Sequence, residues 1–192
     1  MKSVASLAIG LLAAAGLVVS AQAADYQIDS THVHTGFRVS HLGFSHTLGQ
    51  FDQISGTLSF DEGDPAVSAV DVTINTASVD TGNDERDEHL RGPDFFNVEQ
   101  FPTMTFKSTN VEVTGERTAN VTGDLTLLGV TRPVTLAVTL NQAGPHPRDA
   151  SRQIAGFSAT TQINRSDFGM GYAIPAIGDT VEITIEAEAI RQ

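Results

Sequence analysis

At 192 residues, with a formal charge of −12 and no cysteine, the chain is long enough to bury a substantial core and must hold that core without disulfides. Its acidity excludes the nucleic-acid backbone as a partner and disfavours adhesion to anionic lipid surfaces. The charge reads as a solvated exterior.

The N-terminus joins Met1-Lys2 to an almost wholly small and apolar run from Leu7 to Val19, followed by Ala21-Gln22-Ala23. A positive start, a short apolar segment and a small-x-small site predict a secretory signal over 1–23, cleaved after Ala23. One domain is then expected over 24–192. The apolar run falls short of the ~20 residues that cross a bilayer. The expected product is exported and is not an integral membrane protein; in a Gram-negative source its place is the periplasm.

Beyond the signal the dominant pattern has period two. Phe37, Val39 and His41 open it, and Ile54, Leu58 and Phe60 follow. Val70, Val72 and Ile74 alternate with Asp71, Thr73 and Asn75. Further on come Met104 and Phe106; Val121, Leu125 and Leu127; Val134, Leu136, Val138 and Leu140; and Ala155, Phe157, Ala159 and Ile163. The last run sets Val181, Ile183, Ile185, Ala187 and Ala189 against Glu182, Thr184, Glu186 and Glu188. Each is a half-buried strand with one apolar and one polar face. Turns are expected at Asp61–Pro65, Thr114–Arg117 and Ala143–Pro147, where Gly or Pro meets polar neighbours. Eight or nine such strands with short links predict an all-β antiparallel barrel or sandwich. A parallel α/β sheet would carry strands apolar on both faces.

One segment breaks the rhythm. Asn83 to Arg91 is rich in charged helix formers, can be capped by Asn83 or Asp84, and is stopped by Gly92-Pro93, which predicts a short helix. Phe95, Phe96 and Phe101 follow it within a non-repeating connection. Such apolar density must be buried, and one end of a barrel is the natural place.

The residues offer two chemistries. His32 and His34 are two apart, with His41 and His46 nearby, and a His-x-His pair with a third ligand suits zinc or copper. No carboxylate or thiol spacing completes that set, so no metal is expected. A hydrolase would recruit Ser45 with His46, or Ser166 with Asp167, yet neither serine sits in a Gly-x-Ser-x-Gly turn. Ser166-Asp167-Phe168-Gly169 reads as a turn in which Ser and Asp bond the local backbone. No catalytic residue is assigned and no enzymatic activity is expected.

Several motifs run in order along the mature chain: His34-Thr35-x-Phe37-x-Val39-x-His41, Gly49-x-Phe51, Gly56-x-Leu58-x-Phe60-Asp61, Ala77–Thr81 with Arg86-Asp87-x-His89-Leu90 and Asp94-Phe95-Phe96, Phe101-Pro102-x-Met104-x-Phe106, Gly123–Val134 and Ile163–Gly169. In this the chain resembles the YceI-like proteins. Thr35 stands where serine is common and keeps the hydroxyl. Leu128 stands where histidine is common, so no polar role is carried over to it. The resemblance implies an extended lipocalin-like barrel of eight antiparallel strands, exported, whose apolar pore holds a long polyisoprenoid or isoprenoid-quinone-like lipid. It links the chain to transport or stress physiology.

Strands of ~10 residues rising ~3.3 Å each and tilted ~40° give a bore of about 25 Å, which suits a rod-like hydrocarbon. Candidates for its wall and mouth are Phe37, Val39, His41, Phe51, Leu58, Phe60, Val72, Ile74, Leu90, Phe95, Phe96, Phe101, Met104, Phe106, Leu125, Leu127 and Phe157. Asp80, Arg86, His89 and Arg165 are candidates to meet a polar head group. No cofactor is expected beyond the lipid. A filled barrel and a hollow one give the same apolar stripes, so a structural or stress protein with a solid core, with or without a homodimer, and a metal-dependent enzyme stay open at this point.

Overall fold

A computed structural model describes residues 23–192; all of the segment read as a secretory signal except Ala23 lies outside them. The period-two runs become strands: β1 (Ala24–His41), β2 (Ser45–Phe51), β3 (Ile54–Phe60), β4 (Ala69–Asn75), β5 (Val79–Asp80), β6 (Thr103–Gly115), β7 (Thr118–Leu127), β8 (Val130–His146), β9 (Asp149–Asn164) and β10 (Ile177–Arg191). β2 and β3 both pair with β1, placing Ser45 opposite His41, Phe51 opposite Thr35 and Phe60 opposite Ala24. They act as one strand bent at Asp52-Gln53. β4 and β5 continue that pattern on β3 and β2. The order then runs through β6, β7, β8 and β9 to β10, which pairs back onto β1 and closes a barrel of eight antiparallel strands.

The helix α1 (Asp84–Arg91) forms where expected, with the Asn83 side chain accepting the Arg86 N–H at 2.9 Å. Asp84, Glu85 and Asp87 in its first turn and His89 and Arg91 in its last complement the helix dipole. Arg91 ties its far end to the barrel by donating to the carbonyls of Ala77 and Val79. Thr81 is drawn in by Asp87, whose buried carboxylate accepts both its amide (2.9 Å) and its hydroxyl.

Two local expectations are corrected, and one strand runs further than its marked residues. The turn placed at Ala143–Pro147 is mostly strand: Ala143, Gly144 and Pro145 pair with Ala155, Ile154 and Gln153, and the chain reverses after His146. β6 runs eight residues beyond Lys107 because a bulge at Thr109 shifts its inward face from Met104 and Phe106 to Val111 and Val113. The turn at Ser166–Gly169 forms, closed by the Gly169 amide on the Ser166 carbonyl at 3.0 Å, but the Ser166 side chain does not bond the local backbone. The Ser166 amide and hydroxyl both donate to Asp179 across the loop, at 2.9 and 2.7 Å.

Apolar residues cluster near each end of the barrel. At the α1 end, Phe51, Val79, Phe95, Phe96, Met104, Leu127, Phe168 and Met170 are buried together. At the other end Tyr26, Phe60, Ala155 and Ala189 pack with Phe157, Phe60 meeting Phe157 edge-on at 5.4 Å. Glu182, Glu186 and Glu188 alternate with the inward residues of β10 and stand on the outer wall, unlike the apolar belt of a membrane-spanning barrel. Among the described residues no helix is long and apolar enough to cross a membrane.

Candidate functional site

Between the two clusters lies a cavity of about 790 Å³, walled by the inner faces of all eight strands. It stays open because several inward positions hold no bulk. Gly49 and Gly123 let Phe37 and Phe106 lie along the wall: a Cβ on either would fall 2.3 and 2.5 Å from the ring above it. Ala119, Ala159 and Ala187 also present little bulk to the cavity.

Every apolar candidate for the wall and mouth lines this cavity except Phe101. Phe101 sits on the connection from α1 to β6, where its carbonyl accepts the Thr76 hydroxyl at 2.7 Å. Its ring packs 2.9 Å from the point a Gly129 Cβ would occupy, backing the tight β7–β8 turn. In that turn Leu128 (φ 52°) and Gly129 (φ 73°) are both left-handed. The inward faces of β8, β9 and β10, such as Leu136, Val138, Ile183 and Ile185, also form the wall. Leu136, Val138, Ile183 and Ile185 carry the inward alternation in the sequence, but of these three strands the wall expected from the sequence includes only Phe157.

The polar candidates separate. Arg86 and His89, with Asn83 and Glu85, line the cavity from α1. Arg86 donates to the Thr81 hydroxyl (2.6 Å) and carbonyl (2.7 Å), and His89 pairs with Asp94 at 3.2 Å. His41 is exposed at the rim rather than buried beside Phe37. Asp80 does not reach the cavity; its carboxylate accepts the Gly82 amide at 2.7 Å and closes a turn. Arg165 does line it, but its guanidinium is already engaged: it donates to the carbonyls of Gly178, Met170, Tyr172 and Ile177 at 2.8 to 3.0 Å. Its job is to pin the loop between β9 and β10. Burial pushes its pKa below the ordinary guanidinium value.

The histidine and serine constellations are dispersed. Asp29 to His32 form a bulge, because Ile28 and Val33 pair with Ala189 and Ala187 and leave four β1 residues opposite Glu188. His32 therefore leaves the strand pattern that suggested a pair with His34. Among the described residues no three His, Cys, Asp or Glu groups converge as a metal site would require. His46 lies against the Arg38 guanidinium, 3.1 Å from its Nε2.

The bulge holds a pH-sensitive pair instead. The Thr31 hydroxyl, then His32, lower Asp29 to about 2, while the Asp29 carboxylate raises exposed His32 above 6.5. The lowered acid contributes stability present above 3.8 and lost as pH falls toward about 2. The raised imidazole contributes stability present below 6.5 and lost as pH rises through its folded value. Titration of the His32 ring by NMR should give a midpoint above 6.5, and Asp29→Asn should lower it. A midpoint unmoved by that substitution would contradict the pairing.

Against known proteins, the family model described as a YceI-like domain matches residues 26–189. A UPF0312 protein of Ectopseudomonas mendocina is 45% identical over 189 residues, covering 97% of this chain and 98% of its own. The crystal structure of Burkholderia cenocepacia BcnA superposes with a TM-score of 0.75 at 27% identity, over 84% of this chain and 98% of that one. A polyisoprenoid binding domain from Saccharophagus degradans, implicated in plant cell wall breakdown, shares the fold with a TM-score of 0.66 at 18% identity, over 87% and 98%.

Proposed function

Since this chain belongs to the YceI-like family, we propose that it is an exported, non-catalytic carrier. In this reading a long-chain lipid of the polyisoprenoid or isoprenoid-quinone type lies lengthwise in the barrel, for transport, storage or protection in the periplasm. The continuous apolar cavity carries the reading. Its volume of about 790 Å³ falls within the ~300–1,000 Å³ of small-molecule sites. Its walls offer almost no hydrogen-bonding groups along the length, which matches a hydrocarbon and leaves a sugar or nucleotide unsatisfied. Burying each methylene gains ~0.8 kcal/mol, so about ten outweigh the ordering cost of binding. The polar groups of α1 collect at one mouth, where a head group would emerge. The polyisoprenoid-binding domain of Saccharophagus degradans is built on the same fold, which supports the class of ligand.

A barrel with a solid core would have been a structural protein, and the cavity disfavours that alternative. The bore is complete within one chain, so no second copy is needed to form it. Delipidated protein incubated with an isoprenoid quinone and passed through gel filtration should retain about one quinone per chain. Quinone eluting entirely free of protein would refute the reading.

A further inference from the structure

We infer that the α1 end of the barrel carries a membrane-docking face, made of the β1–β2 hairpin tip and the loop between β9 and β10, which seats the mouth of the bore against the bilayer interface. Four of the seven large apolar side chains exposed on the described residues lie on these two elements: Leu42, Phe44, Tyr172 and Ile174. Phe44 is 91% exposed, at the tip of a turn in which Leu42 (φ 54°) and Gly43 (φ 74°) are both left-handed. A leucine held in that region is conformationally costly, and the result is two bulky apolar groups presented to solvent.

The two elements form one surface. The Leu42 amide donates to the Ala176 carbonyl at 2.7 Å, and Arg165 fixes the second loop through the Met170 and Tyr172 carbonyls. Tyr172 packs edge-on against Phe95 and His89 at 5.4 and 5.5 Å. That joins the patch to α1 and so to the rim, where His41, Thr47 and His89 line the cavity.

Charge identifies the occupant. In a chain of net charge −12, residues 42–45 and 169–176 contain no charged side chain. Exposed Phe, Tyr, Leu and Ile on uncharged, protruding loops are what a bilayer interface accepts, at a depth of about 5–10 Å. The acidic remainder selects a zwitterionic or neutral surface over an anionic one. The face rests on the carrier reading for its purpose: a lipid leaving the bilayer would pass directly into the bore.

The test is co-sedimentation of the mature chain with phosphatidylcholine vesicles, with bound lipid measured in parallel. Wild type is expected to bind, and Leu42→Ser/Phe44→Ser to bind at least about tenfold more weakly with unchanged thermal stability. Val67→Ser, an exposed apolar site at the other end of the barrel, should bind as wild type does. Wild type that fails to sediment, or a double variant that sediments equally well, overturns the inference. So does a dimer that dissociates in the double variant, which would make the patch an interface between copies. Wild type that sediments and a double variant that does not, with no lipid retained by either, support the docking face while removing the carrier reading.

Discussion

A phenyl ring placed on the inner wall should expel the lipid and leave the barrel standing. Ala159 on β9 lies between Val138 and Ile185 in the ladder and faces the cavity, as does Ala187 on β10. Ala159→Phe or Ala187→Phe projects its ring into existing space, so the usual cost of overpacking a dense core is small here. A ligand that loses contact for about three methylenes forfeits ~2.4 kcal/mol, about fiftyfold in affinity. Retained lipid should fall by that order while melting temperature holds or rises. Thr160→Phe, one residue along on the outer face, should leave retention unchanged. Equal retention in all three variants would place the lipid elsewhere. Two other substitutions that look like bore fillers in the sequence are not. A Cβ on Gly56 would fall 2.4 Å from the Asp71 carbonyl, and Ala155 is buried in the cluster near the far end, so changes there would test packing.

Removing the Arg165 guanidinium should be the most destabilising single change. The side chain is 3% exposed and donates to four backbone carbonyls of the loop and the start of β10. Each carbonyl left buried and unpaired costs roughly 1–3 kcal/mol, less whatever the loop recovers by opening to water. Arg165→Met should therefore lose about 3–5 kcal/mol, a fall in melting temperature of about 10 °C or more for a chain of this size. Arg165→Lys, with three donors on one point and no planar fork, should fall in between. Denaturant melts of the three proteins decide it, and a methionine variant as stable as wild type would contradict the anchoring role.

The architecture was largely readable because a barrel of this kind writes itself in period two. β7, β10 and the first part of β8 follow their alternating faces, and α1 follows its cap and its stop. Illegibility begins where the ladder is interrupted. The bulge at Asp29–His32 hid the first half of β1, and the bulge at Thr109 inverted the second half of β6. Gly144 and Pro145 resemble a turn locally, yet tertiary pairing with β9 holds them extended.

The site was legible as a wall but not as a space. Inward Phe37 and Phe106 read as core residues until the cross-strand glycines that let them lie aside are located. The backbone engagements of Arg165 and Asp80 are illegible in the sequence for a related reason. A polar side chain near a pore is free for a ligand only if its own backbone neighbours leave it unsatisfied, and that depends on tertiary geometry. Leu42 and Phe44 drew no attention because an isolated apolar residue in a turn is ordinary; only their meeting with Tyr172 and Ile174 at one rim makes a patch.

The measurement that bears most directly on the hollow barrel is native mass spectrometry of the protein purified from its own cells. The account predicts a population heavier than the bare chain by one long-chain, hydrocarbon-rich lipid, released when the protein unfolds and absent from Ala159→Phe. A wild-type spectrum holding only the bare chain, or an added mass that survives unchanged in Ala159→Phe, would contradict it.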